Sequence, residues 1–402
     1  MNILYTITRY WPAIGGAETH VRQLASVLST RHQIDIFAHT KDQRVDPIRV
    51  STVDTPQDHE EYDDGASRVH LPGMTNLERL QAMPAARLYH YPITQPLGFR
   101  FYASVFGPKL SRIVREHRID VIHNVLLGTE YLTRLSLETA QCFGLPFVIT
   151  PLVHEGIWGD SSTLFAMYRR ADAVVALLDE ERRIYLEHGV PEERTHVIGV
   201  SPVIAKDHDT DYFKEKHQVK GKVVLFVGRQ VKSKGYREIL AAAAFVWEKH
   251  RDVSFAFVGP YEESEQGATH DSDPRILRLG PLSDGDKTSA MASSDVFCLP
   301  SISEIMPTAI LEAWHFARPV IGGDIPTLRE LIGDGECGLI VKQDPRQIAE
   351  ALMKLLDHPA YARQLGENGY QKVQQNYTTE RVATSLEQVY DSHCGKGVVR
   401  GD

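Results

Sequence analysis

Two glutamates separated by seven residues are candidates for binding a polar ligand. Glu304 precedes a predicted helix and Glu312 lies inside it, within the stretch Ser303–Trp314. Pro307 suits the first turn of a helix, where its missing N–H would have no partner, so the helix is predicted to begin close to Met306. The free amides at such a helix start attract phosphate. The candidate contacts at this start are Met306, Pro307 and Thr308.

The spacing of the two glutamates indicates the kind of ligand. Eight helical steps would separate them by roughly 12 Å, which is close to the length of a nucleotide sugar. Because carboxylates repel phosphate, they would accept hydrogen bonds from the hydroxyls of a hexose at one end and of a ribose at the other. On spacing alone, an exposed helix that merely carries two acidic residues is equally compatible.

A basic loop supplies the opposite charge. Gly228 and Arg229 follow a strand-like run, and Lys234 and Gly235 lead into a helical stretch. Open α/β sheets bind ligands at the carboxyl ends of their strands. There Arg229 can make a bidentate contact with phosphate oxygens, while Lys234 adds a point charge. Taken by itself, this segment also fits a solvated basic loop.

Near the start of the chain, Gly15 and Gly16 also precede a helix, and adjacent glycines permit close backbone approach to an anion. The segment does not match the GxGxxG fingerprint, and no acidic residue closes the second strand, so a nicotinamide cofactor is not expected. His123 and His154 each end a strand-like run, from which a side chain can reach a ligand. For His123 a packing role is the better interpretation.

Length and composition favour a protein of two α/β domains that does not bind nucleic acid. The 402 residues exceed what one core normally serves, and the net charge of −9 argues against nonspecific nucleic-acid binding. The four cysteines show no metal-ligand spacing, which favours a reducing, cytoplasmic compartment. No run of about 18 apolar residues occurs, so a membrane-spanning helix is not expected.

Short apolar runs alternate with helix-length segments twice along the chain, which is typical of parallel sheets built from βαβ units. The first series begins at Met1–Thr6 and the second at Lys222–Val227. We therefore expect two Rossmann-like, doubly wound α/β domains, joined by the polar segment 201–211. The acidic stretch Asp58–Asp64 is predicted to be a surface loop.

Together these motifs resemble the retaining family 4 glycosyltransferases of the GT-B fold. Glu304–Glu312 is similar to the family's most specific motif, Gly228–Gly235 to its phosphate-binding loop, and Gly15–Glu18 to its N-terminal glycine loop. The resemblance covers most of the chain. It implies two domains facing across a cleft: an acceptor-side domain at 1–203 and a nucleotide-sugar domain at 204–376. A helix within 377–402 would cross back to the first domain.

The resemblance also implies roles for individual residues. Gly16 would offer an amide to the diphosphate, Leu282 would lie against the base, and His154 would lie near the sugar and acceptor. Glu304 would hold the donor-sugar hydroxyls, and Glu312 would hold the ribose. The implied catalytic set is Arg229, Lys234, Glu304 and His154, and the implied donor-binding set is Gly15, Gly16, Gly228, Leu282, Met306, Pro307, Thr308 and Glu312.

The implied reaction moves a hexose, with retention, from a nucleoside diphosphate sugar to a hydroxyl of a glycan, glycolipid or lipid-linked acceptor. UDP-glucose or a related UDP-hexose is the favoured donor, and GDP-mannose is the second. No metal and no cofactor are expected, because Arg229, Lys234 and a helix dipole offset the diphosphate charge. A nucleotide-sugar epimerase of the same fold, or a sugar-nucleotide-binding regulator without turnover, remains an alternative.

The stretch Tyr89–Phe106 is rich in aromatic residues and leads into a series of basic ones. Such a pattern can bring the N-terminal domain into peripheral contact with a membrane, on its cytoplasmic face. A core helix with a basic solvated face produces the same pattern and is the commoner origin. The basic residues are Lys109, Arg112, Arg115 and Arg118.

Overall fold

The computed structural model describes residues 1–13, 15–43, 46–126, 129–154, 156, 159–261 and 273–394. The chain divides into two compact units. Unit 1 comprises Met1–Ile198 together with Thr379–Asp402, and unit 2 comprises Gly199–Thr378. The first division thus falls before the predicted boundary at 203, and the second falls after the predicted boundary at 376.

Unit 1 is built on one sheet with helices on both faces. Its strands are β1 (Asn2–Arg9), β2 (Gln33–Thr40), β3 (Glu60–Asp64), β4 (Ser67–Leu71), β5 (Val121–Val125), β6 (Phe147–Thr150), β7 (Ala173–Ala176) and β8 (Thr195–Val197). Its helices are α1 (Gly16–Leu28), α2 (Pro47–Val50), α3 (Asn76–Tyr89), α4 (Gln95–Glu116), α5 (Glu130–Phe143), α6 (Ser162–Tyr168), α7 (Asp179–Glu187) and, from the end of the chain, α15 (Thr379–Cys394).

The sheet of unit 1 has the order β3-β4-β2-β1-β5-β6-β7-β8, and only β3 runs antiparallel to its neighbour. Strand β1 pairs with β2 on one side and with β5 on the other, so the strand order reverses at β1. Open sheets bind ligands beyond the carboxyl ends of the strands at such a point. The loop that carries Gly15 and Gly16 follows β1 at this position.

Helix α1 covers one face of the sheet. Val21, Leu24, Ala25 and Leu28 recur at helical spacing along it and are all buried, as expected of the apolar face of a helix packed on a sheet. Helix α15 lies on the same face of unit 1, and its Tyr390 hydroxyl is 2.9 Å from the Tyr5 hydroxyl.

His123 is a packing residue in the core of unit 1. Its ring is 1% exposed, with Nδ1 2.6 Å from the Tyr390 hydroxyl and Nε2 2.8 Å from the Thr150 hydroxyl. Burial lowers the pKa of His123 to about 3. The ring therefore stays neutral and uses both nitrogens within the protein, as the packing interpretation predicted.

The prediction that Asp58–Asp64 is a surface loop was wrong. Glu60–Asp64 form β3, which pairs antiparallel with β4, with Glu61 opposite His70. The residues of β3 are half-buried or exposed. An edge strand has one free side and tolerates charged residues that would be excluded from a central strand, so its polarity hid it.

The aromatic stretch Tyr89–Phe106 lies mostly in α4, and its largest residues belong to the core. Phe99, Tyr102 and Phe106 are at most 3% exposed. They pack within the apolar cluster of unit 1 that also includes residues of α5 and α6. The core-helix interpretation therefore describes these three residues, whereas Tyr91, Ile93 and Leu97 of the same stretch are exposed. Among the described residues, no helix combines the length and apolar composition needed to cross a membrane.

Unit 2 is a second parallel sheet with the order β11-β10-β9-β12-β13-β14. Its strands are β9 (Val223–Val227), β10 (Ser254–Val258), β11 (Ile276–Gly280), β12 (Val296–Leu299), β13 (Val320–Gly323) and β14 (Gly338–Val341). Its helices are α8 (Tyr212–Lys216), α9 (Tyr236–Trp247), α10 (Asp284–Ser293), α11 (Thr308–His315), α12 (Pro326–Ile332), α13 (Pro345–Asp357) and α14 (Pro359–Asn376). Two parallel α/β sheets confirm the predicted fold class.

Candidate active site

Two loops of unit 2 meet where its strand order reverses, beyond β9 and β12. The Ile302 N–H donates to the Ser233 carbonyl at 2.9 Å, and the Ser301 hydroxyl donates to the same carbonyl at 3.1 Å. The side-chain amide of Gln343 bonds both loops, donating to the carbonyls of Pro300 (3.0 Å) and Lys232 (3.2 Å). The loop that carries Lys234 and the loop that carries Glu304 are thereby fixed to each other.

Lys234 and Glu304 form an ion pair at this junction. Lys234 Nζ lies 2.5 Å from Glu304 Oε1 and donates to the Ser303 carbonyl at 3.3 Å. An ammonium group carries three N–H bonds, so one is left for a ligand. The Thr327 hydroxyl donates to the Glu304 carbonyl at 2.9 Å and fixes the backbone of the pair. Two side chains predicted from separate motifs thus act at one point.

Arg229 lies in the same loop as Lys234, and its side chain is exposed. Within the described residues no hydrogen bond or ion pair engages its guanidinium group. The preceding Gly228 has φ 157°, and a Cβ on Gly259 would collide with the Gly228 carbonyl. The close approach of these two backbones therefore positions Arg229 directly after β9.

Gly235 ends the basic loop and begins α9. Its φ is 74°, in the left-handed region, and a Cβ there would lie 2.7 Å from both the Pro300 side chain and the Pro300 carbonyl. Only glycine meets both requirements without strain. This residue therefore sets the direction in which the chain leaves Lys234.

Helix α11 begins at Thr308, two residues later than the predicted start at Met306. Pro307 is the N-cap residue, with an extended conformation (φ −74°, ψ 114°), and does not occupy the first helical turn. The residue before a proline is restricted away from helical angles, so Met306 could not have been helical. Glu304 therefore lies in a loop, and the roughly 12 Å helical spacing does not apply to the pair.

Glu312 lies within α11 and is 3% exposed. Its carboxylate accepts from Lys287 Nζ at 3.1 Å and from the backbone N–H of Val203. Burial raises the pKa of Glu312, and the Lys287 ammonium opposes that shift. The carboxylate is therefore held in place by two donors before any ligand arrives.

Lys287 is a site residue that the sequence analysis missed. It lies on α10, which begins directly after the loop containing the half-buried Leu282. The Ser283 side chain caps α10 by accepting from the Asp286 N–H at 3.1 Å. Lys287 and Glu312 are 25 positions apart, so no local spacing indicated their contact. Their ion pair connects α11 to the segment that was predicted to receive the base.

The glycine loop of unit 1 starts α1. Gly15 is the N-cap residue and Gly16 the first helical residue. A Cβ at Gly15 would collide with the carboxylate of Glu18, which is buried and paired with Arg9. A Cβ at Gly16 would meet no protein atom within 4 Å. A side chain at Gly15 would therefore displace the Glu18 carboxylate from its place beside Arg9, and contact of the Gly16 amide with a diphosphate stays a prediction.

His154 lies in unit 1, four residues after the end of β6, and is half-buried. Leu152, between them, has φ 55°, an uncommon conformation for a residue with a side chain. The chain therefore turns sharply before His154. Three of the predicted site residues belong to unit 1: Gly15, Gly16 and His154. The others belong to unit 2: Gly228, Arg229, Lys234, Leu282, Glu304, Met306, Pro307, Thr308 and Glu312.

Two family models match the chain, one in each half. "Glycosyltransferase Family 4" matches residues 14–199, and "Glycosyl transferases group 1" matches residues 207–372. Together with the two parallel sheets and the paired cations and carboxylates, these matches define a class. The chain belongs to the family 4 glycosyltransferases of the GT-B fold, and the resemblance inferred from its motifs is confirmed.

Two of the relatives that match over nearly their whole length are named mannosyltransferases. The chain is 25% identical to the phosphatidyl-myo-inositol mannosyltransferase of Mycobacterium tuberculosis, over 95% of this chain and 94% of that protein. It is also 25% identical to the MMP alpha-(1->4)-mannosyltransferase of Mycolicibacterium hassiacum, over 94% of each.

Solved structures share the fold at lower identity. A sucrose-phosphate synthase from Thermosynechococcus elongatus superposes with a TM-score of 0.74 at 19% identity, covering 98% of this chain and 100% of that one. Anabaena HepE, solved in complex with UDP-glucose, gives a TM-score of 0.70 at 16% identity, with the same coverage.

Proposed function

We propose that this glycosyltransferase moves a hexose, with retention, from a nucleoside diphosphate sugar to a hydroxyl of a glycan, glycolipid or lipid-linked acceptor. The observation that carries the proposal is the Lys234–Glu304 ion pair at the reversal of strand order in unit 2, in the loop that also carries the exposed Arg229. A cation for the diphosphate and an acceptor for sugar hydroxyls are adjacent there.

In the proposed reaction the bond between the anomeric carbon and the donor phosphate oxygen breaks. The bond from the anomeric carbon to the acceptor oxygen forms on the same face of the sugar, and the acceptor proton passes to the leaving phosphate oxygen. Negative charge grows on the diphosphate as the bond breaks. Arg229 and the remaining N–H of Lys234 stabilise that charge, while Glu304 holds the sugar hydroxyls.

We propose that the reaction needs no metal ion. The role a divalent cation plays in other sugar-nucleotide enzymes is to neutralise the diphosphate. Arg229 and Lys234 can do this without an ion: Lys234 is held by Glu304 and the Ser303 carbonyl, and the exposed guanidinium group of Arg229 is free to turn toward the diphosphate. Glu312 would bind the ribose, and the main chain near Leu282 would contact the base.

The transferred sugar is the point at which two lines of support differ. The motifs specify the donor base only weakly and favour a UDP-hexose, whereas two relatives at 25% identity are named mannosyltransferases, which supports GDP-mannose. We keep UDP-glucose as the first donor to test and GDP-mannose as the second. A thermal-shift comparison of UDP, GDP, UDP-glucose and GDP-mannose decides between the two donors, because a ligand that binds only the folded chain raises the melting temperature of the protein.

Turnover should then depend on Lys234 and not on its neighbour. Lys234→Met should lower the initial rate by a factor on the order of 10² with the preferred donor, because one stabilising charge is lost from the transition state. Lys232→Met is the matched control, since Lys232 is exposed in the same loop, and it should keep nearly the full rate. Equal losses in the two variants would contradict the assignment.

The alternative classes give different products. A nucleotide-sugar epimerase would convert the donor to its isomer without any acceptor, which NMR of the donor detects. A regulator without turnover would bind donor and release no nucleoside diphosphate with any acceptor tried. Release of nucleoside diphosphate that requires the acceptor, together with a new glycosidic bond of the donor's anomeric configuration, is the result our proposal expects.

We further propose that unit 1 docks on a membrane surface through apolar residues of α3, α4 and the turn that joins them. This α3–α4 surface consists of Leu77, Leu80, Met83, Tyr91, Ile93 and Leu97, which are between 47% and 94% exposed. Ile93, the most exposed, lies in the turn between the helices. Six large apolar side chains in one short stretch are more than scattered surface residues.

The charge around the α3–α4 surface supports an anionic membrane as the partner. Residues 75–104 contain three arginines and one acidic residue. The acidic residue, Glu78, is already paired with Lys109 at 2.8 Å, whereas Arg87 and Arg100 are exposed. Basic residues beside a membrane-facing apolar surface contribute about 1 kcal/mol each with anionic lipids.

Vesicle cosedimentation tests this proposal. The protein should bind vesicles that contain anionic lipid more strongly than neutral phosphatidylcholine vesicles, and Ile93→Asp should weaken that binding at least tenfold. Val197→Asp is the matched control, because Val197 is 41% exposed elsewhere in unit 1, and it should bind as the wild type does. Equal binding by both variants would refute the α3–α4 surface as the contact.

A further inference from the structure

A cluster of histidine and carboxylate side chains lies in unit 1, apart from the residues assigned to glycosyl transfer. Asp35 Oδ1 is 2.8 Å from His70 Nε2 and 2.8 Å from His117 Nδ1. Asp35 and His70 have 0% side-chain exposure and His117 has 13%. Three potential metal ligands therefore converge on one point in the interior of the unit.

The sheet brings these residues together. Asp35 shares a face of β2 with Phe37, which belongs to the same apolar cluster as the buried residues of α4. In the parallel pairing of β2 with β4, His70 stands opposite Phe37. His117 is the C-cap residue of α4. The cluster thus connects the end of one helix to two neighbouring strands.

His70 has a carboxylate beside each of its two ring nitrogens. Its Nε2 faces Asp35, and its Nδ1 lies 2.9 Å from Glu61 Oε1. An ionised carboxylate only accepts hydrogen bonds, and a neutral imidazole has a proton on only one nitrogen. A cation at Nε2 would satisfy the Asp35 carboxylate and leave the Nδ1 proton of His70 for Glu61.

We propose that Asp35, His70 and His117 bind Zn²⁺. Imidazole nitrogen and carboxylate oxygen are ligands that zinc takes readily, at about 2.0–2.2 Å. The three ligand atoms lie within 4.8 Å of one another. Ligand atoms around a tetrahedral zinc ion stand roughly 3.3 Å apart, so each ring nitrogen needs to move only about half an ångström away from Asp35 Oδ1, from which it now lies 2.8 Å.

Binding releases protons in a defined way. His117 Nδ1 and His70 Nε2 donate a lone pair each to zinc after losing the protons that now bond Asp35. His70 keeps its Nδ1 proton, which it donates to Glu61. When both rings are doubly protonated beforehand, each loses one proton and becomes neutral, so two protons are released to solvent for each zinc ion bound and the net charge of the cluster is unchanged. A His117 ring that is neutral beforehand moves its proton from Nδ1 to Nε2 and releases none.

The surroundings of the cluster match those of known zinc ligands. Zinc-bound histidines usually donate their second ring N–H to a carboxylate, which fixes the ring, and Glu61 is placed to accept from His70 in this way. The Gln33 side-chain amide donates to Asp35 Oδ2 at 3.1 Å and orients that carboxylate. The C-terminal end of α4, where His117 lies, also favours positive charge.

A second grouping, His59 with Glu61 and His70, is a weaker candidate. Its His59 and Glu61 side chains are 37% and 47% exposed, so water competes for the ion. It would also use His70 Nδ1, which the first grouping leaves for Glu61. His59 therefore serves as a control and not as a ligand.

We infer a structural role for the zinc ion. Asp35 lies near the amino end of β2, whereas the Gly15–Gly16 loop follows the carboxyl end of the neighbouring parallel strand β1. Within unit 1 the cluster is therefore at the opposite edge of the sheet from that loop. Zinc bound there should stabilise the unit without contributing to glycosyl transfer.

The test uses the untagged full chain, stripped with chelator and titrated with ZnCl₂. Metal analysis after dialysis should find one zinc ion per chain, and zinc should raise the melting temperature. Co²⁺ in place of zinc should give the visible absorption of a tetrahedral site. The pH-indicator signal should report proton release as zinc binds.

Three variants separate the ligands from the residues around them. His117→Ala, at the most exposed ligand, should lower zinc affinity by at least a hundredfold, whereas His59→Ala should bind as the wild type does. Glu61→Gln should weaken binding by about tenfold, as loss of an outer-shell partner commonly does. Each variant is first checked for a wild-type circular dichroism spectrum and wild-type nucleotide binding.

The outcomes are distinct. Less than half a zinc ion per chain, or zinc binding by His117→Ala as tight as that of the wild type, would overturn the proposal. Loss of binding in His59→Ala together with normal binding in His117→Ala would also overturn it, since the ion would then occupy the second grouping. Glycosyl transfer is not the readout, so failure here leaves the proposed function untouched.

Discussion

Glu304 and Glu312 should fail differently when each is replaced by alanine. Each is assigned to a different end of the donor: Glu304 to the sugar hydroxyls and Glu312 to the ribose. Their surroundings differ too, since Glu304 lies in a loop against Lys234, and Glu312 is buried against Lys287. The pair therefore tests whether the donor is bound in the proposed orientation.

Glu304→Ala should spare the affinity for the nucleoside diphosphate. Lys234 keeps its hydrogen bond to the Ser303 carbonyl, so the cation remains near the diphosphate, and the dissociation constant should change by no more than about threefold, or roughly 0.7 kcal/mol. The anomeric carbon loses a contact that positions it. Turnover should fall by a factor on the order of 10² or more, as misplacement of reacting atoms commonly costs.

Glu312→Ala should weaken nucleoside diphosphate binding itself. A hydrogen bond between a carboxylate and a ribose hydroxyl contributes about 1.5–3 kcal/mol, which is roughly a tenfold to hundredfold change in dissociation constant. The fold should lose stability as well. Lys287 is 19% exposed, with Asp284 3.7 Å away as a second partner, so we expect a loss of about 1–3 kcal/mol rather than the 3–5 of a fully buried pair.

Calorimetric titration and initial-rate assays separate the two effects. Both variants are titrated with the nucleoside diphosphate of the preferred donor and assayed with the full donor. Glu312→Gln is the control for stability, because its side-chain oxygen can still accept from the Val203 N–H. Equal losses of nucleoside diphosphate affinity in the two alanine variants would refute the split assignment.

Three further predictions concern the metal, the loop and the pH. Initial rates should survive EDTA, even where it removes zinc and lowers the melting temperature, and a rate restored only by Mg²⁺ or Mn²⁺ would contradict metal independence. Gly235→Ala should lower the free energy of unfolding by about 1–3 kcal/mol, because φ 74° and contact with Pro300 oppose a side chain; urea unfolding measures this, and a change under about 0.5 kcal/mol would refute it. Burial lowers the pKa of His20 to about 4 and of His39 and His123 to about 3. Below about pH 6.5 the unfolded chain then binds more protons than the folded chain, so the free energy of unfolding should fall on acidification by up to about 1.4 kcal/mol per pH unit for each ring. If His39→Gln leaves the dependence of the free energy of unfolding on pH unchanged, the contribution assigned to His39 is refuted.

Periodicity in the sequence predicted the central elements of both sheets. Buried parallel strands are apolar throughout, and Val223–Val227 and Val296–Leu299 are such runs, with neighbours on both sides. The sheet edges were harder to predict. Strand β11, Ile276–Gly280, has Arg278 at its centre and half-buried residues along its length, so its apolar signal was too weak.

The candidate site could be predicted as a set of residues but not as a set of contacts. Each motif is a short stretch of sequence, and the chemistry of its arginine, lysine or glutamate indicated which group of the ligand that motif would bind. The ion pair of Lys234 with Glu304 joins residues 70 positions apart, and no spacing rule relates them. What decides the contact is the order of the strands, since β9 and β12 are neighbours although β10 and β11 lie between them in the chain.

The zinc cluster was missed for the same reason, yet one residue carried a signal. Asp35 interrupts the apolar run Ile34–Ala38, and its side chain is 0% exposed. A buried carboxylate in a central strand is costly unless a cation or several hydrogen bonds compensate it. The partner must therefore come from another element, and histidine is the residue type that can provide either a proton or a metal-bound nitrogen. A single acidic residue inside an apolar strand is thus a sequence-level indication of a cation site, although only the sheet register identifies His70 as its partner.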